Sequence, residues 1–287
     1  MLLEVEHLAI SFKLEREVSV PVRDVSFVIP ANGRVAIVGE SGCGKSLTAL
    51  SLGGLVDRAE ITGKVKGSPR IAYIFQNPMQ SLNPVMKIGR QIEEGLDCPR
   101  GEMKARVAEL LGSVALPVQT AGKYPCELSG GQQQRVMIAM ALAQQPDLLI
   151  ADEPTTALDV TTQKDVLDLV NRIADEREMA VLLITHNLGL VARYSKFVNV
   201  MYAGCIVEAG EVPKVLGAPR HPYTQGLLAA VPRLDLPKNS PLLGIPGTVP
   251  PPVNWPSGCA FHPRCPYVTE KCSQDDFSIC PRLSVTG

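Results

Sequence analysis

Residues 34–46, RVAIVGESGCGKS, admit few folds. Arg34 to Val38 is a short, almost wholly apolar run of the kind that forms a buried strand. Gly39, Glu40, Ser41, Gly42, Cys43, Gly44, Lys45 and Ser46 then match G-x-x-x-x-G-K-[ST], and SLTALSLGGL continues as an apolar helical stretch. A strand, a glycine loop and a helix in that order make a phosphate cradle. Glycines let backbone N–H groups approach phosphate oxygens without Cβ clashes, Lys45 supplies a point charge for the β- and γ-phosphates, and Ser46 supplies a hydroxyl for Mg²⁺. A glycine-rich turn that merely connects strand to helix is the plain alternative, and the flanking elements weigh against it.

The rest of the chain repeats the alternation. Leu2 to Phe12 and Val25 to Ile29 read as early strands, and Arg70 to Phe75, Asp147 to Asp152 and Ala180 to Thr185 as later ones. Residues 101–116 place Val107, Leu110, Leu111 and Val114 on one helical face, and residues 161–176 do the same with Val166, Val170 and Ile173. FVNVMYAGCIVEAG reads as a hairpin turning at Ala203-Gly204. Strands interleaved with helices predict an α/β fold around a mostly parallel sheet covered on both faces. Near residue 232 the composition turns proline-rich and aperiodic, which predicts a linker or irregular appendage.

LLIADE brings a second piece of chemistry. Asp152 ends a strand, where an open α/β sheet puts its ligands, and it can hold Mg²⁺ through water. Glu153 follows it, placed to orient or deprotonate an attacking water. A lone Asp-Glu after a strand is ordinarily a solvated loop start; beside a phosphate loop it reads as catalytic. LSGGQQQR, Leu128 to Arg135, adds a serine and two glycines opening a helix, an anion site of hydroxyl, free N–H groups and helix dipole that carries no lysine of its own. The same Ser129 can serve as an ordinary N-cap, and the two roles are compatible.

With these motifs stand Gln76 in IFQNP, Ala157-Leu158-Asp159, and His186 in LLITHN, in that chain order. On them the sequence resembles the ATP-binding-cassette (ABC) family over nearly its whole length. The resemblance implies an ABC-type nucleotide-binding domain over 1–232: a mostly parallel core, an antiparallel β subdomain and an α-helical subdomain at about 77–140. It implies ATP and Mg²⁺ as ligands, with Ser46 and Gln76 on the metal, Gln76 and His186 reading the γ-phosphate, and Glu153 as catalytic base. It further implies that two cassettes sandwich two ATP molecules, so that Ser129, Gly130, Gly131 and Gln132 serve the ATP held by the partner cassette, with Asp159 in the loop between. Phe12, after the first strand, is the candidate that stacks on adenine; Phe27 is its rival. Keeping Lys45, Asp152, Glu153, Ser129, Gly131 and His186, the chain is expected to hydrolyse ATP.

IFQNPMQSLNPVMKIGRQI, ADEPTTALDVTTQ and APRHPYTQGLLAAVP narrow the resemblance to the subfamily that powers import of peptides and nickel. It implies a second, different ATPase subunit, two membrane permeases and an extracytoplasmic solute-binding protein. A nickel or metal-chelate importer is the alternative cargo, and a soluble, non-transport ABC ATPase of DNA repair or translation the alternative class. The latter usually carries two cassettes or long coiled coils, whereas here about eighty residues without sustained heptads separate phosphate loop and signature. One departure is visible: the chain is short between Gly63 and Arg70, where relatives carry more strand and loop, which leaves less chain for the antiparallel subdomain.

The net charge is -1 and aromatics are 5%, which give no reason to expect nucleic acid as a partner. No basic-then-apolar leader and no run of about 18 apolar residues is present, so a cytoplasmic chain is expected, where structural disulfides are rare; the subfamily resemblance implies a peripheral place on the cytoplasmic face of the membrane.

The segment 233–287 ends in Cys259, Cys265, Cys272 and Cys280, spaced C-x5-C-x6-C-x7-C. Four thiolates can close around zinc or a [4Fe–4S] cube, and this spacing alone selects neither. The subfamily resemblance implies the [4Fe–4S] cluster, with zinc as the alternative. A proline-rich stretch of this length buries little core alone, so a metal centre would act as its staple. Cys43 lies inside the phosphate loop, at a position that tolerates several residues, while Cys98, Cys126 and Cys205 are scattered and read as structural.

Overall fold

A computed structural model describes residues 1–77, 81–156, 158–231 and 244–274. Ala157 and Cys280 therefore lie outside the described residues. The chain divides into two compact units, one of residues 1–2, 29–34 and 68–183, the other of 3–28, 35–67 and 184–287.

The second unit carries β1 (Leu3–Lys13), β2 (Val18–Ile29), β3 (Arg34–Val38), β4 (Glu60–Lys66), β8 (Phe197–Tyr202) and β9 (Cys205–Glu211), ordered β4-β1-β2-β9-β8-β3, with Ile29 of β2 and Arg34 of β3 belonging to the first unit. β3 runs parallel to β8, pairing Val38 with Val200, so both strands end at the same edge. β8 and β9 form the antiparallel hairpin that Ala203-Gly204 predicts. β1 pairs antiparallel with β4 despite the short stretch before Arg70, so the antiparallel portion survives the missing residues. β3 is buried at every residue, as its apolar run Val35–Val38 requires, and the guanidinium of its first residue, Arg34, donates to Met179 O at 2.8 Å. Its helices are α1 (Lys45–Leu52), α6 (Leu188–Tyr194), α7 (Val212–Gly217) and α8 (Pro222–Ala229).

The first unit holds β5 (Ile71–Ile74), β6 (Leu148–Asp152) and β7 (Ala180–Thr185), the last two residues of β7 belonging to the other unit, in the order β7-β6-β5. β5 and β6 are parallel, Ile74 facing Ala151. Its helices are α2 (Ile88–Glu93), α3 (Met103–Ser113), α4 (Gly130–Ala143) and α5 (Val160–Glu176). Val107, Leu110 and Leu111 of α3 and Val166, Val170 and Ile173 of α5 are all buried in one apolar cluster with Ile74, Val136 and Leu142. The helical face predicted from their spacing is the face that packs. Each such buried aliphatic side chain contributes about 1.5–3 kcal/mol.

The sequence predicts that the C-terminal segment buries little core of its own, and it packs on the core of the second unit. Phe261 is 2% exposed and sits in the second unit's cluster with Val200, Tyr202 and Tyr223, while Ile245, Val249 and Trp255 pack against it. The rings of Tyr202, Tyr223 and Phe261 stand 4.6–5.4 Å apart, Tyr202 meeting Phe261 edge to face. Trp255 Nε1 donates to Val20 O at 2.8 Å, and Val20 N donates to Pro252 O at 2.9 Å, which ties the proline-rich run to the start of β2. The segment borrows a core instead of building one.

Candidate functional site

In the second unit the phosphate loop follows β3, whose apolar residues fix where it emerges. A Cβ at Gly39 would lie 2.1 Å from Met201 O, so no other residue fits this close passage beside β8. Cys43 is fully buried, burial pushes its thiol up, and its carbonyl accepts from Gly204 N at 3.0 Å. It is a packing residue of the loop. Lys45 opens α1 and is 6% exposed; its Nζ donates to Gly39 O at 2.8 Å and Glu40 O at 2.9 Å. The ammonium is thus held inside the loop by carbonyl acceptors. Ser46 is the second residue of α1. His186 is exposed directly after β7, and the next residue, Asn187, caps α6 by accepting from Gly189 N at 2.9 Å. Phe12 is half-buried near the end of β1, while Phe27 is 6% exposed and belongs to the core.

In the first unit, the parallel pairing of β5 and β6 brings Gln76 and Glu153 to one edge. Gln76 Nε2 donates to Glu153 Oε2 at 3.1 Å, and Thr156 Oγ1 donates to the same oxygen at 3.0 Å. Glu153 has φ 45°, a left-handed backbone that costs a non-glycine residue about 1–2 kcal/mol. Asp152 is 6% exposed, and Tyr73 Oη donates to its Oδ2 at 2.9 Å. Burial, then the neighbouring Asp152 charge, keeps the Tyr73 hydroxyl protonated far above its ordinary range. Tyr73 and Thr156 were not predicted from sequence; a lone tyrosine hydroxyl in the apolar RIAYIF run was the available signal.

Ser129 caps α4. Its Oγ accepts from Gln132 N at 3.4 Å, and Gln132 Oε1 accepts from Ser129 N at 3.0 Å, a reciprocal capping box. Ser129 and Gly130 are exposed at the helix start, where the capping box engages the backbone N–H groups of Ser129 and Gln132. A Cβ at Gly131 would meet Thr162 Cγ2 at 2.8 Å. Asp159 caps α5 through Thr161 N and Thr162 N, and the Thr162 hydroxyl and backbone hold its carboxyl below the usual range.

The cysteine segment lies in the second unit. Cys259, Cys265 and Cys272 line one cavity of 710 Å³ with His221, Phe261 and Tyr267. Cys259 N donates to Cys272 O at 2.9 Å, and the close turn requires glycine at 258, where φ is 65° and a Cβ would lie 2.5 Å from that carbonyl. Tyr267 N donates to Cys265 Sγ at 3.4 Å, and Thr269 Oγ1 lies 3.4 Å from Cys272 Sγ. Burial pushes the His221 imidazole down to about 4, and its Nδ1 accepts from Tyr223 N as the cap of α8. Among the described residues, no three His, Cys, Asp or Glu side chains are gathered so as to hold a metal ion. Also among the described residues, no helix is long and apolar enough to cross a membrane.

Two family models match the sequence: ABC transporter over residues 22–156, and oligopeptide/dipeptide transporter, C-terminal region, over residues 207–272. A protein of Brucella abortus (strain 2308) with the provisional name of peptide import ATP-binding protein is 43% identical over 311 residues, spanning 100% of this chain and 92% of its own. A Brucella ovis protein with the same kind of name is 45% identical over 308 residues, spanning 94% of this chain and 91% of its own. Among solved structures, the ATP-binding cassette MJ0796, dimeric in a post-hydrolysis state with ADP and Pi, superposes with TM-score 0.65 at 27% identity, over 74% of this chain and 99% of that one.

Proposed function

Because the chain belongs to the ATP-binding-cassette family of transporter ATPases, we propose that it is the ATP-hydrolysing subunit of an importer of di- or oligopeptides. The observation that carries the cargo class is the union, in one chain, of the cassette at 22–156 and the oligopeptide/dipeptide transporter region at 207–272. The relatives' names point the same way. A soluble repair or translation ATPase would have no use for that C-terminal region. The cassette domain is taken as 1–232 and the extension as 233–287.

In this reading Lys45 and the backbone N–H groups of residues 39–46 bind the β- and γ-phosphates, and Phe12 stacks on adenine. Mg²⁺ neutralises charge on the phosphates when bound. Ser46, Gln76 and, through water, Asp152 are the residues that would hold it, an all-oxygen donor set suited to a hard cation. Glu153 takes the proton of the attacking water, and His186 and Gln76 donate to the γ-phosphoryl oxygens as charge builds there. Ser129, Gly130, Gly131 and Gln132 present a hydroxyl and helix N–H groups to the ATP of the partner cassette, while Asp159 keeps the intervening loop in place. The hydrolytic site is therefore complete only in the pair.

The partners are a second cassette, two permeases and a solute-binding protein, and the place of work is the cytoplasmic face of the membrane. Cys259, Cys265, Cys272 and Cys280 are proposed to hold a [4Fe–4S] cluster, with zinc as the alternative. Supporting this are three thiols that line one cavity, though without being gathered as a formed site, and a backbone N–H donated to the Cys265 sulfur, a contact that favours a thiolate ligand. The cluster would supply a cross-link for the segment.

Purified alone, the chain should hydrolyse ATP slowly. Adding the second cassette and the permeases should raise turnover at least about tenfold, with a further rise on adding peptide-loaded binding protein. Full, substrate-independent turnover by a homodimer of this chain would remove the heteromeric reading.

A further inference from the structure

Glu40 is the second residue of the phosphate loop, and a bare carboxylate there would repel the nucleotide that the loop receives. It is not bare. Arg264 Nη1 donates to Glu40 Oε2 at 2.7 Å and Nη2 donates to Oε1 at 3.0 Å, a two-pronged pair. Tyr223 supports the same residue from another side, its hydroxyl accepting from Glu40 N at 2.8 Å.

The guanidinium is built into its position. Arg264 closes a short turn, His262–Arg264, directly after the buried Phe261. Nε donates to Pro246 O at 2.7 Å and Nη2 to Gly247 O at 3.3 Å, while Nη1 also reaches the Tyr202 hydroxyl at 3.4 Å. The side chain is 4% exposed, against 31% for Glu40. Only a planar fork with five donors meets all these acceptors at once; a lysine ammonium would leave some unmet. The carbonyls of 246–247 fasten the back of the fork, and its front faces Glu40.

We propose that Arg264, delivered by the C-terminal segment, is a positioning residue for ATP: by neutralising Glu40 it lets the first turn of the phosphate loop receive the charge of the nucleotide. Arg264 does not touch the reacting atoms in this account; it acts through Glu40. The inference rests on the reading of residues 39–46 as the ATP site, and the test separates the two.

ATP affinity is measured on the full chain by displacement of a fluorescent ATP analogue. Binding by the unaltered chain and its loss in Lys45→Ala test the reading of the site. Arg264→Met should weaken ATP binding about tenfold, because the Glu40 charge is then uncompensated. The double variant Arg264→Met with Glu40→Gln should recover to within about twofold, since the repelling charge is gone. Arg264→Lys, which keeps the charge and is the safer variant for folding, should fall between the two. A purely structural role would give no recovery in the double variant. Wild-type affinity in Arg264→Met, or a double variant no better than Arg264→Met, overturns the proposal.

Discussion

Replacing Glu153 with Gln should cut ATP turnover of the assembled transporter by about 10²–10⁴-fold and leave ATP affinity within about twofold. The amide keeps the size of the side chain and can still accept from Gln76 and Thr156, which meet its Oε2 at 3.1 and 3.0 Å. The strained backbone at φ 45° is retained, because the backbone and its neighbours are unchanged. What is lost is the group that takes the water's proton. ATP then stays bound between paired cassettes, and the closed assembly should accumulate, visible as a shift to the paired form on size-exclusion chromatography. Turnover equal to the unaltered protein would remove Glu153 from the chemistry.

The second large effect concerns Cys265→Ser. Anaerobic purification of the unaltered chain should give a brown protein with about four irons per chain, as a cubane requires; the variant should lose colour and iron together. A serine hydroxyl is a poor ligand for such a cluster, and Cys265 also accepts from Tyr267 N within the cavity. Proteolysis of the segment should increase, mainly in 265–274. Phe261 and Arg264 hold the part before it through the aromatic cluster and the Glu40 pair, neither of which needs a metal. ATP binding should survive. Stoichiometric zinc without iron would instead support a closed four-cysteine zinc site, and no metal at all would return these residues to ordinary thiols.

The strands and helices that bury a continuous face were legible because hydrophobic spacing alone places them: Arg34–Val38, Leu148–Asp152 and the faces of α3 and α5 fall where the patterns put them. The phosphate loop and the signature were legible because glycine, lysine and serine at fixed spacing have few other uses. Two kinds of feature were not. β2 begins at Val18, seven residues before the expected Val25, because its early part is held from outside by Trp255 and Pro252, more than two hundred residues away. Arg264 and Tyr223 gave no local sign that both would meet Glu40, since an ion pair across 224 positions leaves no periodicity in either segment. Which core the C-terminal segment joins was hidden for the same reason: its buried Phe261 packs on Tyr202 and Tyr223, residues of a distant hairpin and helix.

The central claim, that ATP hydrolysis by this chain drives peptide import, is tested most directly by labelled-peptide uptake into proteoliposomes. These hold the two permeases with both cassettes, the binding protein on one side and ATP on the other. The account predicts ATP-dependent accumulation of a di- or oligopeptide that stops when Lys45→Ala replaces the unaltered chain. Steady ATP hydrolysis with no peptide accumulation, or accumulation of nickel in its place, would contradict it.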